Sequence, residues 1–202
     1  MACQLSFMEE RKALKEIVKL MFDRRLTNAA GGNVAVEVEP GKLLVSPSMM
    51  SEFHRCNIGV EDFILMDYDK NILEGTGVVS RESDMHINLI KNFDYIGACI
   101  HAHPQYCMVY ASQSKPIPSL TEATMKKGDC GCIPYTKAYT PQLAENVYKY
   151  FQEFGPRVNE MPLGVILPLH GVLCTGSNLN TAFCMLERLE TDAMCGILKG
   201  LI

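Results

Sequence analysis

The chain has no tryptophan and only five histidines in 202 residues. No apolar run approaches the ~20 residues needed to cross a bilayer, and the N-terminus lacks the charge, apolar stretch and small-residue cleavage site of a signal peptide. These absences predict a soluble, cytoplasmic protein. Basic charge is also lacking: the net charge is −4 and the lysines and arginines are scattered, which excludes the electrostatic footprint of a nucleic-acid binder. There are no repeats, low-complexity tracts or linkers, and a 48% hydrophobic composition suits one sizeable core. The expectation is a single domain over residues 1–202.

Nine cysteines are present but no Cys-x-x-Cys motif. Cys130-Gly131-Cys132 is the one close pair, and its spacing matches neither a zinc ribbon nor a redox motif. An odd total without a signal peptide predicts reduced thiols. Cys99, Cys107, Cys174, Cys184 and Cys195 lie in apolar segments and read as buried small hydrophobes.

Two of the five histidines form His101-Ala102-His103, at the end of the apolar run Tyr95–Ile100 and before Pro104. In a strand, side chains at i and i+2 share a face, so these imidazoles can close on one metal ion. Neutral imidazoles suit Zn²⁺ or another divalent ion, and a catalytic site needs a third protein ligand and an open position. His170, where an apolar strand meets Gly171, suits the third ligand. Glu82 and His86 share one helical face, and an acid at a helix start is favoured by the dipole, so Glu82 reads as a fourth ligand or a base. From the residues alone, structural histidines and a solvated helix-start glutamate remain open. His54, beside Arg55, reads as a surface residue.

The periodicity alternates between helix and strand. Leu14, Ile17, Val18, Met21 and Phe22 make an apolar stripe on a helix near residues 7–25. Strands are predicted at 34–37 and 42–46, then a hairpin from 63–66 and 72–73. A helix carrying Glu82 follows, then helices begun by Pro104 and Pro141, the latter burying Leu143, Val147, Tyr150 and Phe151. Two strands flank His170, and a final helix presents Leu179, Phe183, Leu186, Ala193 and Ile197 on one side. This order predicts an α/β fold with a mainly antiparallel central sheet flanked by helices, not a doubly wound parallel sheet.

Five ordered segments now carry a resemblance: Gly32-Asn33-Val34-Ala35-Val36, Ser46-Pro47-Ser48, Ser80-x-Glu82-x-x-x-His86, His101-x-His103-Pro104, and His170-Gly171 before a helix containing Glu187. Together they resemble the class II aldolase/adducin family, across nearly the whole chain. That resemblance implies a three-layer fold and a C4 homotetramer with active sites at subunit interfaces. It implies a metal-dependent lyase cleaving a small ketose, most simply a ketose 1-phosphate, through a metal-stabilised enediolate. His101, His103 and His170 would hold the metal, with Glu82 as resting fourth ligand and proton shuttle. Gly32, Asn33, Ser46, Ser48, Ser80 and Arg81 match the positions that hold substrate phosphate. The family's dehydratases and decarboxylases, and the non-enzymatic adducin scaffold that lacks the metal ligands, are the alternatives.

Three departures bear on the chemistry. Met49 stands where the aldolases commonly have glycine, and Arg81 where they have a small hydroxyl residue. Arg81 offers a planar fork for phosphate or carboxylate, or is a solvated first-turn residue. In the loop after the His-x-His strand, Glu122 stands where fuculose-phosphate aldolase has a catalytic tyrosine. An acid there resembles the dehydratase and decarboxylase branches, where it is the acid/base; a surface role for Glu122 is the other reading.

Overall fold

The computed structural model describes residues 5–155, 157 and 162–201. Its centre is a seven-stranded sheet: β1 (Asn33–Glu39), β2 (Lys42–Val45), β3 (Ile64–Asp67), β4 (Ile72–Glu74), β5 (Ala98–Ala102), β6 (Gly164–Leu167) and β7 (Gly171–Gly176). The spatial order is β4-β3-β2-β1-β5-β7-β6, and every neighbouring pair is antiparallel. Helices α1 (Met8–Asp23), α4 (Gln105–Ser112) and α7 (Leu179–Leu198) cover one face, and α3 (Ser83–Asn92) and α6 (Pro141–Glu153) the other. The three-layer α/β architecture with a mainly antiparallel sheet is therefore as the sequence predicted. Among the described residues no helix is long and apolar enough to cross a membrane.

The period of two along the strands assigns each residue to a face. Ala98, Ile100, Ala102, Val172 and Cys174 join the core under α1 and α7, whereas Cys99 and Leu173 join the core under α3 and α6. His101 shares the parity of Cys99, so it points to the α3 side. Helix ends are fixed by local chemistry. Thr140 caps α6 through the Leu143 N–H with Pro141 in the first turn, and Asn178 and Thr181 cap α7 reciprocally. The start of α4 is held from a distance, because the Glu190 carboxylate accepts the N–H groups of Tyr106 and Cys107. That cap anchors the chain immediately after His103 and Pro104.

Some expectations need correction. Cys184 is exposed and Cys195 only partly buried, while Cys99, Cys107 and Cys174 are buried. The segment Leu179–Leu186 is apolar on several sides, and the core takes Leu179, Ala182, Phe183 and Leu186, turning Cys184 outward. Ile197 is 38% exposed and so falls outside its helix's buried stripe, while Tyr150 is only partly buried but packs against the core that holds Leu143, Val147 and Phe151. Two short helices, α2 (Met50–His54) and α5 (Glu122–Met125), were not anticipated. His54 is exposed, as expected.

Candidate metal centre

Three segments converge on one point. His101 is the penultimate residue of β5, His103 follows that strand's end, and His170 lies in the tight turn joining β6 to β7. One ligand nitrogen from each falls within a 4.8 Å cluster. The His101 and His103 Nε2 atoms are 3.2 Å apart. Glu82, at the start of α3, brings Oε1 to 3.1 Å from His170 Nε2 and Oε2 to 3.5 Å from His101 Nε2. In a tetrahedral zinc site with bonds of about 2.0–2.1 Å, ligand atoms stand about 3.3–3.4 Å apart. The donor set therefore fits a divalent ion in size and chemistry.

The protonation pattern agrees. The Val172 carbonyl lies 3.0 Å from His101 Nδ1, which donates to it and leaves the Nε2 lone pair facing the cluster. Burial pushes His101 down to about 4 and His103 to about 3, so both are neutral donors at neutral pH. Burial alone would raise the Glu82 carboxyl, but the facing His101 and His170 and the Asn33 amide outweigh it and hold it well below the usual carboxylate range. The result is an anionic carboxylate beside the neutral imidazoles of His101 and His103.

These buried imidazoles give a pH prediction for the metal-free protein. His86, also buried, is pushed down to about 4, chiefly by desolvation. On unfolding, His86, His101 and His103 regain an ordinary value near 6.5 and take up protons the folded state refuses. Stability is therefore highest above that pH and falls as pH drops from about 6.5 towards 4. Urea denaturation at pH values across that window, with chelator present, should show a falling midpoint; a flat profile would contradict the neutral-histidine assignment.

Glycine is required at two places here. Gly32 has φ of +118°, and a Cβ on Gly171 would stand 2.5 Å from the Ala102 carbonyl and 2.6 Å from the His103 ring. The cluster opens into a cleft lined in part by Gly32, Asn33, Ser48, Ser80 and Arg81. Ser46 and Glu122 do not line it. The Ser46 hydroxyl is buried and accepts the Val34 N–H at 3.0 Å, and Glu122 is exposed at the start of α5. Met49, at the cleft wall, has φ of +64°, the conformation that glycine adopts freely.

Two features escaped the sequence reading. Tyr139 lines the cleft, its ring centroid 3.9 Å from the Arg81 guanidinium carbon and 6.4 Å from that of His170. Arg81 is thus stacked at the cleft rim as a cation–π pair. The second is a hydrogen-bonded chain behind Glu82: Asn33 Nδ2 donates to Glu82 Oε2 at 2.8 Å, and Asn33 Oδ1 meets His86 Nε2. No spacing signal links position 33 to the pair at 82 and 86; strand pairing brings it there, because Asn33 lies opposite His101 in the β1–β5 ladder.

Residues 12–196 match the family described as Class II Aldolase and Adducin N-terminal domain. An L-fuculose phosphate aldolase of Methanococcus maripaludis is 27% identical over 88% of this chain and 91% of its own length. A 5-deoxy-D-ribulose 1-phosphate aldolase of Bacillus thuringiensis is 27% identical over 90% of this chain and 81% of its own. A 3-oxo-tetronate 4-phosphate decarboxylase of Haemophilus influenzae is 26% identical over 91% and 85%. Among solved structures, an L-fuculose 1-phosphate aldolase superposes with a TM-score of 0.79 at 28% identity, covering 98% of this chain and 89% of the other.

Proposed function

The chain belongs to the class II aldolase and adducin N-terminal domain family, and from that premise we propose that it is a metal-dependent lyase performing retro-aldol cleavage of a small ketose 1-phosphate. The observation that carries the reading is the Glu82 carboxylate in the fourth corner of the three-histidine cluster, 3.1 Å from His170 Nε2. Names of relatives acting on fuculose phosphate and 5-deoxyribulose 1-phosphate support the substrate class. An adducin-like scaffold role is disfavoured, because all three histidines and the carboxylate are present and convergent.

His101, His103 and His170 would hold Zn²⁺ or a related divalent ion. When bound, the ion supplies Lewis-acid stabilisation of the enediolate left by carbon–carbon bond cleavage. As the carbon–carbon bond breaks, the substrate hydroxyl becomes the aldehyde carbonyl and gives up its proton. Glu82, turned from the histidines to the substrate, takes up that proton and delivers it to the carbanion carbon. Its buried setting excludes water from that transfer, and desolvation raises its proton affinity once the facing imidazoles no longer hold it. The Ser48 and Ser80 hydroxyls and the Gly32 backbone line the wall for the phosphate end. Arg81, steadied on Tyr139, supplies the fixed positive charge there. Replacing Arg81 with serine should raise KM for the phosphorylated ketose about tenfold or more with kcat little changed, as expected for a lost charge-assisted contact. An unchanged KM would remove Arg81 from the anion site.

Glu122 lies on the surface and outside the cleft of its own chain, so retro-aldol cleavage gives it no role there. Only in dehydration or decarboxylation would it serve as acid/base, reaching a neighbouring copy's site in a homotetramer. Glu122→Gln should leave retro-aldol turnover within a few-fold, whereas loss of ~10² or more would be expected of an acid/base in dehydration or decarboxylation. The decisive assay incubates zinc-reconstituted protein with ketose 1-phosphates and related sugar acids and resolves the products by mass. Dihydroxyacetone phosphate plus an aldehyde is the expected result. Loss of water or carbon dioxide would overturn the aldolase assignment in favour of the dehydratase or decarboxylase branch.

A further inference from the structure

The chain of groups behind Glu82 has one consistent hydrogen-bonding assignment. An ionised carboxylate only accepts, so the Asn33 atom 2.8 Å from Glu82 Oε2 must be the amide nitrogen. The Asn33 carbonyl oxygen then faces His86 Nε2, which must carry its proton and donate. His86 Nδ1 keeps the lone pair, and it is buried without a hydrogen-bond partner among the described residues. Asn33, Glu82 and His86 are only 7%, 6% and 2% exposed, so water cannot readily take over either role. The carboxylate sets which end of the Asn33 amide faces it, and the His86 donor pairs the other end. Without that donor the Asn33 carbonyl oxygen is buried unpaired and one bond alone holds the amide, which is then free to turn away from Glu82.

We propose that His86 and Asn33 are positioning residues, an Nε2–H imidazole fixing the Asn33 amide so that Glu82 is held by Oε2 and leaves Oε1 turned to the histidine cluster. The proposal rests on the metal-centre reading above for its functional meaning. It commits the Asn33 carbonyl to His86 and one amide hydrogen to Glu82, leaving the second amide hydrogen for the cleft that Asn33 lines. The loop that follows Thr27 brings the Gly32 backbone to the cleft while the Asn33 side chain turns inward, which separates the two neighbouring residues by role.

Two readouts test it on the full chain. Long-range ¹⁵N–¹H correlation spectra of histidine-labelled protein at neutral pH, with the His86 signals identified by their loss in His86→Gln, should show the neutral Nε2–H tautomer. An Nδ1–H tautomer would overturn the proposal. Zinc affinity by chelator competition should fall about tenfold or more in His86→Leu, the range for a lost outer-shell partner, and largely recover in His86→Gln, whose amide can donate in the same place. Wild-type affinity in His86→Leu, or equal loss in both variants, would overturn it. The tautomer is read with or without metal and needs no turnover. A wild-type protein that failed to bind zinc would therefore contradict the metal-centre reading while the spectra still tested the relay.

Discussion

Replacing Glu82 with glutamine should leave zinc bound at close to one ion per chain and lower the rate ~10²-fold or more, the usual cost of removing a general acid/base. Three imidazoles suffice to hold a catalytic zinc, so the loss of a displaceable fourth ligand costs affinity without abolishing it. Glutamine keeps the size of the side chain and an oxygen able to accept from Asn33, whose Nδ2 lies 2.8 Å from Glu82 Oε2. What it lacks is the ability to take and return a proton. The fall should therefore appear in kcat, with KM changing little. Turnover at the parent rate would show that proton transfer runs through another group.

His103→Ala should behave differently, losing metal and activity together. The ring sits against Gly171 and brings its Nε2 to 3.2 Å from His101 Nε2, so its removal takes one ligand nitrogen out of the cluster. Two imidazoles and a carboxylate that must leave during turnover do not make a closed catalytic set. Because the cluster is buried, the substitution also opens space beneath the cleft, and thermal unfolding of the metal-free variant separates that packing loss from ligand loss. A variant that kept stoichiometric zinc and near-parental turnover would remove His103 from the metal centre. Together the two substitutions divide metal holding from proton transfer, which no single variant does.

The antiparallel sheet was legible because its signals are local. Alternation over 34–37 and 42–46 and the turn residues between 66 and 72 specify a meander, and the Asp67 carboxylate that caps this hairpin by accepting from Asp69 and Asn71 is itself turn chemistry. The convergence of His101 and His103 was legible for the same reason, since i and i+2 in a strand share a face. His170 and Glu82 could be offered as candidates from their local settings. Only the ordered set of motifs joined them to the pair, because nothing local says that a β6–β7 turn and the start of α3 meet.

What stayed hidden depends on distant pairing. Arg11, on the face of α1 that reads as amphipathic, is fully buried, donating to the Val60 and Phe63 carbonyls and pairing with Glu74 at 2.5 Å. An arginine so placed is indistinguishable in sequence from a solvated one. Tyr139 lies in an irregular segment with φ of +63°, outside any periodic pattern, and is drawn to the cleft by Arg81. The resemblance assigned Ser46 and Asn33 to phosphate; the Ser46 hydroxyl lies outside the cleft and accepts from the β1 backbone, whereas Asn33 lines the cleft and also bonds Glu82. Side-chain polarity marks such residues as available for a site, and only the fold decides which partner takes them.

The account stands most directly on where a metal binds. Crystals of zinc-reconstituted protein, measured for anomalous scattering on either side of the zinc absorption edge, should show one strong peak per chain. It should lie within about 2.0–2.1 Å of one nitrogen each of His101, His103 and His170. No peak after reconstitution, or a peak held by other residues, would contradict the metal centre and the lyase chemistry proposed from it.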